Sequence, residues 1–212
     1  MPVRAIAFDF NGTLSDDEPV LCAIFGELFA EHGRPMSAQE YFDELAGHSD
    51  PEIVRRWLGD GHPDVDAVIE ERIRRYRAAV ADGRTVHEPV REALRLAASR
   101  VPVAIVSGAM RAEIEPVVEA AGLAPLLRGI VAADDVEHGK PHPEGYLRSL
   151  SLLGAEPGEV LAFEDTEAGI ESALGAGMRV IAVRGTLDPH RLGAAEEIVD
   201  GLDAEVIRRV LE

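Results

Sequence analysis

Near its start the chain reads "VRAIAFDFNGTLSDDEP", residues Val3 to Pro19. An apolar run ends in Asp9, and two residues later, where a second carboxylate would be looked for, stands Asn11. Taken alone, an aspartate at a strand end is a turn residue or a helix N-cap. Farther on, "FEDTEAGIESALGAGM" (163–178) puts Glu164 and Asp165 at the close of another expected strand, at the same sheet edge as Asp9. Carboxylates converging there offer hard oxygen donors with no cysteine or clustered histidine. Such a set suits Mg²⁺ better than zinc.

Two further pieces would share that edge. "VAIVSGAM" ends a strand with Ser107-Gly108, a hydroxyl and exposed backbone N–H groups opening a helix, which is a cradle for an anion. "EHGKPHPEGY" (137–146) offers Lys140, held between Gly139 and Pro141. It is the only lysine among 21 basic residues; the rest are arginine. A surface lysine is usually just solvated, but a sole lysine on a rigid loop facing carboxylates reads as a point charge for a phosphoryl oxygen or a nucleophilic carboxylate.

These residues need elements to hold them. "VRAIAF" (3–8), "VPVAIV" (101–106), "GIVAA" (129–133), "EVLAF" (159–163) and "RVIAV" (179–183) are largely apolar, as strands buried on both faces of a parallel sheet are. Helices over 111–121, 143–153 and 166–176, each followed by glycine, alternate with them. The spacing predicts an α/β fold with a doubly wound parallel sheet. Residues from about 17 to 88 carry no strand signal but several amphipathic patterns, among them "EPVLCAIFGELFAEHG", "DPEIVRRWLG" with Asp50 as N-cap, and "DVDAVIEERIRRYRAAVADG". The expected organisation is a core of residues 1–15 and 89–212 and an all-helical cap of residues 16–88, inserted after the first strand over the carboxyl ends of the sheet.

Composition limits the partners. A formal net charge of −18 over 212 residues argues against a nucleic-acid footprint and against anionic membranes, while allowing a small anionic substrate at a locally positive site. With Cys22 as the only cysteine, no intrachain disulfide or thiolate cluster can form. No apolar run is long enough to cross a bilayer and the N-terminus lacks signal-peptide regions, so the expected location is the cytoplasm.

Asp9–Leu14 with Ser107, Lys140 and Glu164–Asp165, in that order, resembles the four-motif pattern of the haloacid dehalogenase superfamily. The helical insert resembles its C1-type cap. "GKPHPEGY" and "EDTEAGIESALGAGM" are most similar to the beta-phosphoglucomutase and phosphoglycolate phosphatase branch. The resemblance implies a Rossmann-like core and a Mg²⁺-dependent phosphohydrolase acting on a small phosphorylated metabolite. It implies that Asp9 attacks the phosphoryl group to form an aspartyl-phosphate, and that Asp9, Asp165 and the carbonyl of Asn11 hold Mg²⁺, with Glu164 in or near the shell. Thr13 and Ser107 would bond phosphoryl oxygens, and Lys140 would balance charge. The chemistry stands on its own terms, since an anionic nucleophile attacking an anionic group needs cations to offset the repulsion.

In most phosphatases and mutases of that superfamily the residue at the position of Asn11 is an aspartate that moves protons. Asn11 cannot titrate, although its carbonyl can bind metal and its side chain can hydrogen-bond. It is open whether Asn11 is a natural residue or an engineered trap, whether His48 in the cap stands in as base, whether the Asn11-Gly12 pair deamidates, or whether the chemistry differs. The cap has no lysine for a Schiff base, and dehalogenase relatives work without a metal, so phosphoryl transfer leads. A mutase cap carries a histidine near the position of Leu21 and an arginine at that of Asp50, which weakens the phosphomutase alternative. A non-catalytic phospho-ligand sensor is the alternative from another class. Gly47, His48 and Ser49 are the cap residues expected to meet substrate. Trp57, Tyr76 and Tyr146 read as packing residues, His142 as structural, and Arg72, Arg74, Arg75 and Arg77 as a solvated face with Glu70 and Glu71.

Overall fold

All five apolar runs become parallel strands, and a sixth joins them: β1 (Ala5–Phe8), β2 (Val103–Val106), β3 (Ile130–Val131), β4 (Val160–Glu164), β5 (Arg179–Val183) and β6 (Glu197–Val199). The structure is a computed structural model and describes residues 2–185 and 189–212. The strand order is β3-β2-β1-β4-β5-β6. β1 therefore lies between β2 and β4, so the chain winds one way from it and then the other, as a doubly wound sheet does.

Between strands run α5 (Glu88–Ala98), α6 (Arg111–Ala120), α7 (Glu144–Leu153) and α8 (Glu167–Gly175), and α9 (Ala204–Leu211) closes the chain. Alanines at 5, 7, 104, 162, 173 and 182 are buried in one cluster with Val106, Val131 and Tyr146. Side chains this small let helix and sheet backbones approach closely at interior packing density. Gly83 shows the same device in the connection back from the helical insert. A Cβ there would fall 2.8 Å from the Ala121 nitrogen, and its φ of +69° is a conformation that glycine adopts freely.

The chain divides into two compact units, Met1–Asp16 with Asp82–Glu212, and Asp17–Ala81. Residues 82–88 group with the sheet because Gly83 packs on the end of α6 and the Ser15 hydroxyl donates to Thr85 Oγ1 at 2.8 Å. The second unit holds α1 (Glu18–Glu31), a short α2 (Ala38–Glu40) continued by one π-turn over Tyr41–Leu45, α3 (Asp50–Leu58) and α4 (Val65–Val80). Phe25, Phe29, Tyr41 and Trp57 stack in its interior, and the Trp57 indole donates to the Arg34 carbonyl at 2.8 Å. No helix among the described residues is long and apolar enough to cross a membrane.

Two expectations for this unit change. Ser49, not Asp50, is the N-cap of α3, and Asp50 instead takes an ion pair from Arg72. Arg72 thus leaves the solvated face and is buried, while Arg74 and Arg75 pair outward, with Glu71 and, for Arg75, Glu27 and Glu31, and Arg77 is exposed. Helical spacing explains the difference, because Arg72 lies four residues from both Val68 and Tyr76, which share the inward stripe of α4. Tyr76 is buried as expected, and its hydroxyl also donates to Asp17, a contact that an aromatic at a helical position does not announce.

Candidate active site

Register delivers the acidic residues. Phe8 pairs with Ile105 on one side and Phe163 on the other, so the next residues along, Asp9, Val106 and Glu164, lie in one row across three central strands. The Asp9 N–H donates to the Phe163 carbonyl at 2.9 Å, and the Phe8 and Phe163 rings stack at 5.4 Å. Asp165 and Ser107 follow in the next row. Carboxylate oxygens of Asp9, Glu164 and Asp165, all buried, lie within 4.8 Å of one another.

Lys140 enters this row from the loop before α7, where its peptide bond to Pro141 is cis. Its ammonium donates to Asp9 Oδ1 at 2.5 Å, to Glu164 Oε1 at 2.5 Å and to the Val106 carbonyl at 3.1 Å. An ammonium has three protons, and all three are engaged. Burial disfavours the charged lysine, but the Asp9 and Glu164 carboxylates more than offset it and its pKa moves up. Lys140 is held as a permanent cation. The Asp9 carboxyl is pushed up to about 7, chiefly by burial and further by the charge of Glu164, with Lys140 pulling the other way.

Glu164 is spoken for on both oxygens. Oε1 accepts from Lys140 and from the Tyr146 hydroxyl at 2.7 Å, and Oε2 accepts from the Asp165 N–H at 3.2 Å and the Thr166 hydroxyl at 3.3 Å. Gly169, in the first turn of α8, makes room for it: a Cβ there would fall 2.0 Å from Glu164 Oε2. Tyr146 therefore does more than the packing expected of it, since it donates to Glu164 and its ring faces Lys140 at 5.4 Å. Gly12 and Gly185 were missed as well. Gly12 has φ +75° and a Cβ there would sit 2.0 Å from Asp165 Oδ2; one at Gly185 would lie 3.3 Å from the same atom. Both glycines leave the Asp165 carboxylate unobstructed on its backbone side.

Three carboxylates against one ammonium leave two buried negative charges to be balanced, and the donors are oxygens throughout. A hard divalent cation fits that set. Asp9 and Asp165 are the carboxylates with acceptor capacity for it, because Glu164 already accepts four hydrogen bonds.

The anion cradle is assembled less completely. Thr13 Oγ1 is buried with no hydrogen-bond partner among the described residues, in the tight turn where Leu14 and Ser15 N–H both donate to the Phe10 carbonyl. A buried hydroxyl left in this state favours a bound acceptor. The Ser107 hydroxyl accepts from the Ala109 N–H at 3.0 Å and reaches the Asn11 side-chain oxygen at 3.4 Å. Gly108 is exposed, with open space where a side chain would stand, and α6 begins only at Arg111, so the Ser107-Gly108 N–H groups precede the helix rather than open it. In the helical unit, the Ser49 N–H and hydroxyl are spent on Glu52 at 3.1 and 2.7 Å, and the His48 N–H donates to the Leu45 carbonyl.

A doubly wound sheet that gathers Asp9, a buried Lys140, Glu164 and Asp165 at the carboxyl ends of its central strands offers a donor set for a divalent cation and an anionic group. The profile of the family described as haloacid dehalogenase-like hydrolase matches residues 6–183, and the chain belongs to that family. It is 34% identical over 193 residues to Protein CbbY of Rhodobacter capsulatus, covering 85% of each chain. It is 31% identical over 210 residues to Hexitol phosphatase A of Escherichia coli, covering 96% of this chain and 93% of the relative. Among solved structures, an Asp-to-Asn mutant of CbbY from Rhodobacter sphaeroides in complex with xylulose-(1,5)bisphosphate superposes with a TM-score of 0.82 at 27% identity, covering 96% of each chain. The chain is a haloacid dehalogenase-type hydrolase of phosphoric monoesters.

Tyr146→Phe tests how far Glu164 depends on its second donor. Removing one hydrogen bond to a buried charge costs about 1–3 kcal/mol. The expected result is a fall in kcat of roughly tenfold with KM little changed. A lower melting temperature with unaltered kcat would assign Tyr146 to packing alone.

Proposed function

We propose that the chain hydrolyses a small phosphorylated metabolite, a sugar or polyol phosphate or a phosphoglycolate-like acid, through an aspartyl-phosphate on Asp9. The observation that carries this reading is the position of the Lys140 ammonium, 2.5 Å from both Asp9 and Glu164 at the carboxyl end of the central strands. An Asp9 oxygen attacks phosphorus, the bond to the leaving oxygen breaks, and that oxygen takes a proton. Water then attacks the phosphorylated Asp9, releasing phosphate and restoring the carboxylate. Lys140 holds Asp9 in place and offsets its charge. Thr13 and Ser107 donate to the non-bridging oxygens, where charge accumulates in the transition state. Mg²⁺, held by Asp9, Asp165 and the Asn11 carbonyl, supplies further charge neutralisation when bound.

Proton transfer separates this chain from its relatives' usual pattern. Asn11 has no titratable proton, and Lys140 has no free one. The leaving oxygen therefore draws its proton from solvent or from a group other than these two, which favours substrates with good leaving groups. The same feature supports a second reading, a phospho-ligand sensor, since a binder needs the cradle and no proton shuttle. A phosphomutase draws less support, because Asp50 is engaged with Arg72 and offers no cation to a second phosphate.

The test is phosphate release from hexitol phosphates, pentulose bisphosphates, phosphoglycolate and an aryl phosphate, with Mg²⁺ and with chelator. Metal-dependent release, fastest with the aryl ester, is the expected result. Tight binding of one phosphate ester with neither release nor a phosphoryl adduct on the protein would transfer the assignment to the sensor.

A further inference from the structure

Within the helical unit, three residues with no part in the chemistry above converge. His32 closes α1, His62 lies in the loop between α3 and α4, and Asp64 is the N-cap residue of α4. One ligand atom from each lies within 4.8 Å of the other two. The two imidazoles meet edge to face with centroids 5.1 Å apart. Asp64 is the informative member. Aspartate is a preferred N-cap because its carboxylate satisfies the first free N–H groups of a helix. Here the side chain makes no such bond, while the Asp64 N–H donates to His62 Nδ1 at 3.2 Å.

A second group of similar composition, His138, His142 and Glu144, lacks this property. There the carboxylate is saturated by Arg148, at 2.6 and 3.0 Å, and by the N–H groups of Glu137 and His138. It anchors the Lys140 loop.

We infer that His32, His62 and Asp64 form a binding site for a first-row transition-metal ion such as Zn²⁺. Two imidazole nitrogens and one carboxylate are a zinc-type donor set, in contrast to the all-oxygen set around Asp9. An ion holding its ligands at about 2.0–2.1 Å sets them roughly 3.3 Å apart. Side-chain rotation closes the difference, because His32 and Asp64 are exposed and His62 half-exposed. Binding through His62 Nδ1 displaces one long hydrogen bond at a solvated site, a small cost. Water completes the coordination. The bound ion ties the C-terminal end of α1 to the N-terminal end of α4 across the segment that contains α2 and α3.

The experiment uses the full chain without an affinity tag, in millimolar Mg²⁺ to occupy oxygen-donor sites, with Zn²⁺ titrated against a chromogenic chelator. The expected result is one tight Zn²⁺ equivalent, weakened by about tenfold or more in His32→Ala and in His62→Ala. Asp165→Asn and His138→Ala should retain it, which separates it from the acidic site and from the Lys140 loop. Saturating Zn²⁺ should raise the melting temperature by roughly 3–6 °C, an increment absent from the two alanine variants. Melting of those variants without metal serves as the folding control, and Ni²⁺ should broaden the ring-proton signals of His32 and His62 first. Zn²⁺ affinity indifferent to both substitutions, broadening confined to His138 and His142, or no binding tighter than about 100 μM would overturn the assignment.

Discussion

Asn11→Asp is expected to raise kcat for a sugar phosphate by about 10²–10⁴-fold, with KM little changed. The amide and the acid have the same shape, and the turn that holds residue 11 is fixed by backbone bonds, Gly12 N–H to the Ser15 carbonyl at 2.8 Å and Leu14 N–H to the Phe10 carbonyl at 2.9 Å. What changes is the presence of a proton that can be given and taken back. Lys140 cannot supply it, since its three protons are committed and its pKa is raised. With an aryl phosphate, whose leaving group needs less protonation, the gain in the first step shrinks, while any gain in hydrolysis of the phosphoenzyme persists. Intact mass distinguishes the two steps: a phosphoryl adduct that accumulates with Asn11 and disappears with Asp places the block after attack. Equal rates for the two proteins would show that another group moves the proton.

Asp9→Asn is expected to abolish turnover, a loss on the order of 10⁴-fold or more, and to remove any phosphoryl adduct. A residual adduct would mean that a different residue is the nucleophile. The same variant carries a second expectation, in stability. In chelator, the folded protein holds the Asp9 carboxyl up to about 7, against 3.8 for an ordinary aspartate. A carboxyl whose pKa is raised by folding favours the folded state when protonated and loses that advantage as pH rises from 3.8 through 7. Replacement by a neutral amide removes this loss. The variant should therefore melt a few degrees above the parent in chelator at pH 8, with the gap narrowing as pH falls below 7. A gap that widens toward acid would contradict burial as the dominant influence on Asp9.

Much of the site was legible because each chemical residue stands at the end of an apolar run, and parallel strands bring those ends to one edge. Asp9, Glu164 and Asp165 are placed together on that logic alone, whereas Lys140, on the loop before α7, stood out as the sole lysine of the chain. The sheet was legible for the same reason, up to β6, whose two apolar residues, Ile198 and Val199, are too few to stand out after Glu196 and Glu197. α5 and α9 were passed over because their polar faces resemble linkers, although each presents a well-segregated apolar stripe. What could not be read were contacts that depend on three-dimensional approach. The Tyr146 hydroxyl reaches Glu164 across two elements, and Arg72 differs from Arg74 and Arg75 only in the direction of its Cα–Cβ bond. Gly12 and Gly169 matter for the atoms they omit, and an omission has no pattern along a chain. The boundary of the helical unit depended on packing too, with Gly83 and Thr85 drawing residues 82–88 toward the sheet.

The strand order has one more implication. β1 is made well before its neighbours in the sheet, β2 and β4, which begin only at Val103 and Val160. At about 5–20 residues per second of synthesis, β1 waits roughly 8–30 s before β4 emerges to flank it. Until β2 is made this wholly apolar strand has both backbone edges open, and the edge that meets β4 stays open to the end of the interval, while the 65 residues of Asp17–Ala81 can already make their local contacts. The acidic cluster follows the same order: a chain broken off before the end of β4 carries Asp9 and Lys140 but lacks the Glu164–Asp165 pair that stands beside them in the folded sheet.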